Sequence, residues 1–264
     1  MKINYNNKKI VIADLDGTLA PSKGKIDNEM SDLILELLNY KHFAVISGGA
    51  YKQFEKEFIS GLKIRRKQRS IERLYLMPTC ATSFYKFGFD KARKIRKWIK
   101  IYEENLTVHE KNKILHAFET ALKNAGYSMP EKKYGKIIED RGTQITFSGL
   151  GQNAPLELKS KWDPYLKKRK KIKQELKKII PEFEIRLGGT TSIDITRKGI
   201  DKAYGIRKLS KYLKFKLNEM LFIGDALFKD GNDYPVKKTG VDCIAVSCPQ
   251  DTKKMLRKII NSSI

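Results

Sequence analysis

Asp14 and Asp16 stand two residues apart in the segment Asp14-Leu15-Asp16-Gly17-Thr18-Leu19, directly after the apolar run Ile10-Val11-Ile12-Ala13. Side chains alternate along an extended backbone, so these two carboxylates point to the same side. Carboxylates this close repel each other, and sharing a divalent cation relieves the repulsion. Gly17 lets the chain turn away, and Thr18 supplies a hydroxyl. An Asp-Gly pair alone often marks a strand-end turn and nothing more. A buried strand that empties into two acids, a glycine and a threonine points instead to a metal-binding site with chemistry to perform.

Such a site needs a rigid scaffold, and the pattern of apolar runs supplies one. Lys9–Asp14, His42–Ser47, Arg73–Pro78, Glu219–Asp225 and Val241–Ser247 are short apolar runs of strand length that end in polar or glycine-rich residues. The first shows no alternation, as expected of a parallel strand covered on both faces. Leu33, Ile34, Leu37 and Leu38 recur at helical spacing after Ser31, which is read as the N-cap region, and Ala203 to Leu213 forms another helix. Strands alternating with helices imply a doubly wound parallel α/β sheet. The middle of the chain differs. Lys86 to Glu119 reads as mostly helical, with Trp98, Ile101, Tyr102 and Leu106 on one side. Ile137-Ile138, Gln144–Ser148, Glu184–Leu187 and Ser192–Ile195 then read as half-exposed strands, with a charged helix from Trp162 to Ile180 between the pairs. The expected organisation is a core over residues 1–85 and 199–264 with an α+β domain inserted over 86–198.

The Asp14–Leu19 segment resembles the first motif of the haloacid dehalogenase (HAD) superfamily, whose members transfer phosphoryl groups through an aspartyl-phosphate. The resemblance implies a Rossmann-like HAD core in which Asp14 attacks phosphorus and Asp16 serves as general acid and base. Ser47-Gly48-Gly49 matches the family's phosphate-binding turn, where a hydroxyl and backbone N–H groups can cradle an anion. Lys202, in Gly199-Ile200-Asp201-Lys202, fits the motif whose cation neutralises the transferring phosphoryl. Gly224-Asp225, followed by Gly231-Asn232-Asp233, fits the last motif. Asp225 is then a metal ligand, and Asp233 ligates or acts through water. Together with Asp14 and Asp16 these acids form an oxygen donor set that suits Mg²⁺. The insert falls where the superfamily carries a type II cap, a lid that excludes water and contacts substrate.

Within the superfamily, the chain resembles the HAD-type phosphomannomutases, with the type IIB cap. Asp225 and Asp233 share that family's long spacing, and Val241–Thr252 resembles its ending. Arg141 to Ser148 resembles the cap strand that offers an arginine to substrate phosphate. Ser192 and Asp194 stand where the family holds sugar hydroxyls, and Gln152 and Lys159 where it usually carries two further arginines. Neither replacement offers a bidentate fork for phosphate. The resemblance therefore implies a mutase that interconverts hexose 1- and 6-phosphates with a hexose 1,6-bisphosphate as activator. A sugar-phosphate phosphatase on the same scaffold is the alternative. The family also tends to pair through its cap; the apolar face of Lys86–Leu106 could serve a homodimer or equally bury against the cap's own sheet.

The bulk properties set the remaining bounds. An apolar fraction of 41% supports a sizeable core, and no run of about 18 apolar residues exists to cross a membrane. Cys80, Cys243 and Cys248 form neither a disulfide framework nor a zinc pattern, and His109 and His116 lack acidic or thiol partners nearby. A reducing, cytoplasmic setting is expected. The net charge of +24 would attract polyanions, yet no nucleic-acid recognition motif accompanies it, so nucleic acid is not the expected partner. The densest basic run, Lys167 to Lys178, reads as a solvated helix face, and a positive field would also steer a phosphorylated sugar toward the site.

Overall fold

The computed structural model describes residues 3–64, 69–229 and 231–263; Met1 and Lys2, at the head of the polar N-terminal stretch, lie outside the described residues. In chain order the strands are β1 (Ile10–Asp14), β2 (His42–Ile46), β3 (Leu74–Met77), β4 (Ser83–Asp90), β5 (Ile95–Glu103), β6 (Ile138–Asp140), β7 (Ile145–Ser148), β8 (Phe183–Gly188), β9 (Ser192–Arg197), β10 (Met220–Gly224) and β11 (Asp242–Ala245). The chain divides into two units, Met1–Glu103 with Asp201–Ile264, and Glu104–Ile200.

The first unit holds a seven-stranded sheet in the order β11-β10-β1-β2-β3-β4-β5. Its first five members pair in parallel. Val11, Ala13, Phe43, Val45, Leu221 and Ile223 face one core, closed by helices Asn28–Leu37 and Pro249–Asn261. Ile10, Ile12, Ala44, Ile46 and Phe222 face a second core, closed by helix Lys202–Leu213. Burial on both faces explains why these strands read as unbroken apolar runs. Connections from β1 run outward through β2 and β3, and β10 returns on the other side of β1. The strand order therefore reverses between β1 and β10, where an open α/β sheet leaves a crevice at the carboxyl ends.

Three sequence expectations are corrected here. The stretch from residue 86 to Leu106 is not helical: β4 and β5 form an antiparallel hairpin that extends the core sheet. Pairing slips between Phe84 and Tyr85, which face Tyr102 and Lys100, so Ile101 is an extra residue in a bulge. Trp98 then packs toward one core and Tyr102 toward the other. The bulge shifts the period of two by one residue, and apolar positions 98, 101 and 102 come to imitate helical spacing. The structural division accordingly falls at Glu104 rather than at residue 86. In the first helix the N-cap is Asp27, whose Oδ1 accepts from Met30 N at 2.9 Å. Ser31 lies inside that helix, and its Oγ accepts from Lys63 N.

The second unit is a four-stranded antiparallel sheet, β6-β7-β9-β8, packed on helices Val108–Asn124 and Lys167–Ile179. Ile145, Phe147, Ile193 and Ile195 meet Phe118, Ile172 and Leu176 on the apolar face. The charged helix expected from Trp162 to Ile180 is in fact two, Leu156–Trp162 and Lys167–Ile179. Asp163 between them accepts from the N–H groups of Lys168 and Arg169 and from Arg169 Nε. Arg169 is thus buried within the basic run, donating also to the carbonyls of Gly188 and Gly189.

Helix Val108–Asn124 opens with a capping box in which Thr107 and Glu110 satisfy each other's backbone N–H groups. Glu110 also takes a two-pronged bond from Arg197, Nε to Oε1 at 2.8 Å and Nη2 to Oε2 at 2.7 Å. The Arg197 hydrogen bonds, with help from the cap, pull the Glu110 carboxyl down to about 2. A depressed carboxyl contributes stability fully above its ordinary value of 4.5, and that stability is lost as pH falls through about 2. An Glu110→Gln variant is therefore expected to melt a few degrees lower at pH 7, with the gap to wild type closing as pH approaches 2. Thermal melts across that range check it.

Candidate active site

Ser47, Asp14, Asp16 and Asp225 lie at or just beyond the carboxyl ends of β2, β1 and β10, three adjacent strands, and Lys202 opens a helix of the same unit. Asp14 is the last residue of β1 and Asp225 follows β10. Leu15 turns into the core, and Gly17 adopts φ +82°. A Cβ at Gly17 would stand 2.6 Å from Asp225 Oδ2, so both the turn and the close approach require glycine. Thr18 accounts for the next contact: its hydroxyl donates to Asp225 Oδ1 at 3.1 Å and accepts from Asp225 N at 3.1 Å. The Thr252 hydroxyl donates to the Thr18 carbonyl from the last helix, clamping this turn from behind.

Asp14, Asp225 and Asp233 bring one carboxylate oxygen each within 4.8 Å of one another. Lys202, the first residue of a helix capped by Asp201, places its ammonium 2.7 Å from Asp14 Oδ1 and in direct contact with Asp233 Oδ1. Asp233 Oδ2 accepts from Ala226 N at 3.0 Å. Asp14, Lys202 and Asp233 are buried. Burial raises the Asp14 carboxyl well above its ordinary value; Lys202 opposes the rise, and Asp233 and Asp225 add to it. Burial and Asp233 likewise raise Asp225. Burial pushes Lys202 down, but Asp14 and Asp233 overcome it and hold the ammonium charged. Three acidic side chains against one ammonium leave an excess of acid groups in a largely buried site. An all-oxygen set with that excess fits a hard divalent cation.

Asp16 departs from the expected metal set. Its carboxylate turns away from these three, with Oδ1 accepting from Lys23 N and Oδ2 from Gln53 Nε2, both at 2.9 Å. Ser47 follows β2, and its Oγ accepts from Gly49 N at 3.1 Å. The turn through Gly48 is braced from the end of β3, where Thr79 N donates to the Gly49 carbonyl and Cys80 N to that of Ser47. Thr79, Cys80 and Ala81 all have positive φ, from 49° to 70°. Three successive left-handed residues, one of them β-branched, are strained, and the backbone N–H groups of the first two brace the Ser47–Gly49 turn. Nothing in their residue types signals this.

The remaining candidates lie in the second unit. Alternation on β7 and β9 sends Ile145, Phe147, Ile193 and Ile195 to the helices, leaving Ser148, Ser192 and Asp194 on the opposite face. Asp194 Oδ1 accepts from Thr146 Oγ1 at 2.7 Å and Gln144 Nε2 at 2.8 Å. Those two orienting residues were missed, although the period of two from Ser148 points to both. The Ser148 hydroxyl is engaged with Gly151 O and Thr191 Oγ1. Arg141, Gln152 and Lys159 converge. Arg141 Nε binds Glu139 at 2.7 Å, Arg141 Nη2 donates to Gln152 Oε1 at 3.1 Å, and Lys159 Nζ donates to the Gln152 carbonyl at 2.7 Å. Gln152 Nε2 is buried and has no hydrogen-bond partner among the described residues.

A doubly wound sheet with an aspartate closing β1, a lysine opening a helix and acids beyond β10 defines a phosphoryl-transfer enzyme of the HAD class. The family profile of the eukaryotic phosphomannomutases matches residues 85–262, well over half of the chain. The chain belongs to that family. It is 28% identical over 253 residues to the phosphomannomutase of Encephalitozoon cuniculi, covering 94% of this chain and 91% of the relative. The Saccharomyces cerevisiae phosphomannomutase is 27% identical over 263 residues, covering 96% and 94%. Among solved structures, Plasmodium falciparum IMP-nucleotidase shares the fold at a TM-score of 0.71 and 20% identity, covering 97% of this chain and 69% of that one. A haloacid dehalogenase-like hydrolase from Bacteroides thetaiotaomicron does so at 0.59 and 14%, covering 96% and 99%.

Proposed function

We propose that the protein is a phosphomannomutase, moving a phosphoryl group between the 1- and 6-positions of a hexose through a phosphorylated Asp14. The observation that carries this reading is the buried Asp14–Lys202–Asp233 cluster with Asp225 beside it, in a chain of the phosphomannomutase family. A carboxylate oxygen of Asp14 attacks phosphorus, and the bond from phosphorus to the hexose oxygen breaks. Asp16, outside the acid cluster and solvent-accessible, gives its proton to the leaving alkoxide and takes one back from the attacking hydroxyl in the return step. Lys202 and the Ser47–Gly49 turn stabilise the charge on the transferring group. Mg²⁺ held by Asp14, Asp225 and Asp233 would neutralise the phosphoryl oxygens further. A hexose 1,6-bisphosphate would keep Asp14 phosphorylated between turnovers.

The second-unit residues bind the sugar phosphate in this reading: Arg141 and Lys159 supply charge, and Ser192 and Asp194 meet hydroxyls. Gln152 Nε2, a buried donor with no partner among the described residues, favours a ligand oxygen beside it. Replacing Gln152 with leucine is expected to raise KM for the hexose phosphate about tenfold with little change in kcat. A neutral amide where a cation would grip a second phosphate favours one other reading, a hexose-phosphate hydrolase. Phosphorus NMR of mannose 1-phosphate with Mg²⁺ and catalytic hexose 1,6-bisphosphate separates the two. Conversion to the 6-phosphate supports the mutase, and inorganic phosphate as the main product supports the hydrolase.

A further inference from the structure

We propose that Gln53 is a positioning residue for Asp16, an inference that rests on Asp16 being the proton donor to the leaving oxygen. Gln53 lies on the helix Tyr51–Glu57 that follows the Ser47–Gly49 turn. Its Nε2 carries two protons and uses both, one to Asp16 Oδ2 at 2.9 Å and one to Glu57 Oε2 at 2.8 Å. Both partners are carboxyl groups, which fixes the amide with its nitrogen toward them. Its oxygen lies over Gly49, where a Cβ would stand 2.2 Å from Gln53 Oε1. Glu57 is buried, one turn along the same helix, so it anchors the amide rather than competing with it from solvent.

The Asp16 carboxyl is therefore held at both oxygens, by the backbone N–H of Lys23 and by the Gln53 side chain. Only the second can be removed without altering the backbone. The same amide rests on the glycine of the phosphate-cradle turn, so Gln53 ties the proton donor to the cradle. A proton donor must be placed within a few tenths of an ångström of the leaving oxygen to be effective, and a carboxyl held on one side only would rotate away.

The leaving group distinguishes this role from a merely structural one. A hexose alkoxide needs a proton as it departs; nitrophenolate, a far weaker base, does not. Single-turnover phosphorylation of Asp14 is measured with a hexose bisphosphate and with p-nitrophenyl phosphate, for wild type, Gln53→Leu and Asp16→Asn. Gln53→Leu is expected to lower the rate from the hexose donor about 30-fold and that from the aryl donor less than about threefold, a smaller copy of the Asp16→Asn pattern. Gln53→Asn, which keeps an amide too short to span both carboxylates, shows the same selective loss more weakly and serves if the leucine variant does not fold. Equal losses on both donors, or no loss on either, would overturn the role of Gln53 while leaving the Asp16 assignment intact. A wild type that takes phosphate from neither donor would overturn that assignment and this inference with it.

Discussion

An Asp14→Asn variant is expected to lose phosphoryl transfer by about 10⁴-fold or more while remaining at least as stable as wild type. The amide has the shape of the carboxyl but cannot form an acyl phosphate. Stability moves the other way because of the charge balance. Asp14 is buried among Asp225, Asp233 and a single ammonium, an arrangement that raises its carboxyl well above the ordinary range. Removing one of three negative charges leaves Lys202 paired with Asp233 and relieves repulsion. Thermal melts without added metal, beside turnover assays, check both halves. A variant that is inactive only because it is unfolded would contradict the account.

Lys202 shows the converse behaviour. A Lys202→Met variant fills similar volume but strips the only cation bonded to Asp14 and Asp233 among the described residues. Breaking a buried pair from one side costs about 3–5 kcal/mol, and transfer falls about 10²–10³-fold because a charge that stabilises the transition state is gone. Added Mg²⁺ is expected to raise the melting temperature of this variant more than that of wild type, since three unpaired carboxylates bind a dication more tightly. Denaturant titrations with and without Mg²⁺ measure the difference. Equal responses in the two proteins would show that the three acids do not act as one cation site.

Much of the first unit was legible because its parallel strands are covered on both faces. That makes β1, β2, β3 and β10 nearly unbroken apolar runs, with the chemically interesting residues confined to their ends. Asp14 and Asp225 could be nominated from those ends, since a strand terminus restricts which polar residues can meet; Lys202 and Asp233 were reached through the resemblance to the family's motifs. What escaped depends on contacts without a local signature. The bulge at Ile101 gave a strand hairpin the spacing of a helix, displacing the expected domain edge. Arg169 was hidden in a run of lysines, although Asp163 draws it inside. Asp16 looked like a metal ligand by parity alone, but Lys23 and Gln53, the latter on another helix, take its oxygens. Gln53 itself lies in a helix of ordinary composition, and only three dimensions bring it to Asp16 and Gly49.

The most direct test of the central claim is to find where the phosphoryl group goes. Rapid-quenched enzyme, mixed with labelled hexose 1,6-bisphosphate and Mg²⁺, is reduced with borohydride and digested, which turns a phosphorylated aspartate into homoserine. The account predicts homoserine at position 14, absent from the Asp14→Asn variant. Label on any other side chain, or sugar turnover without a labelled protein, would contradict it.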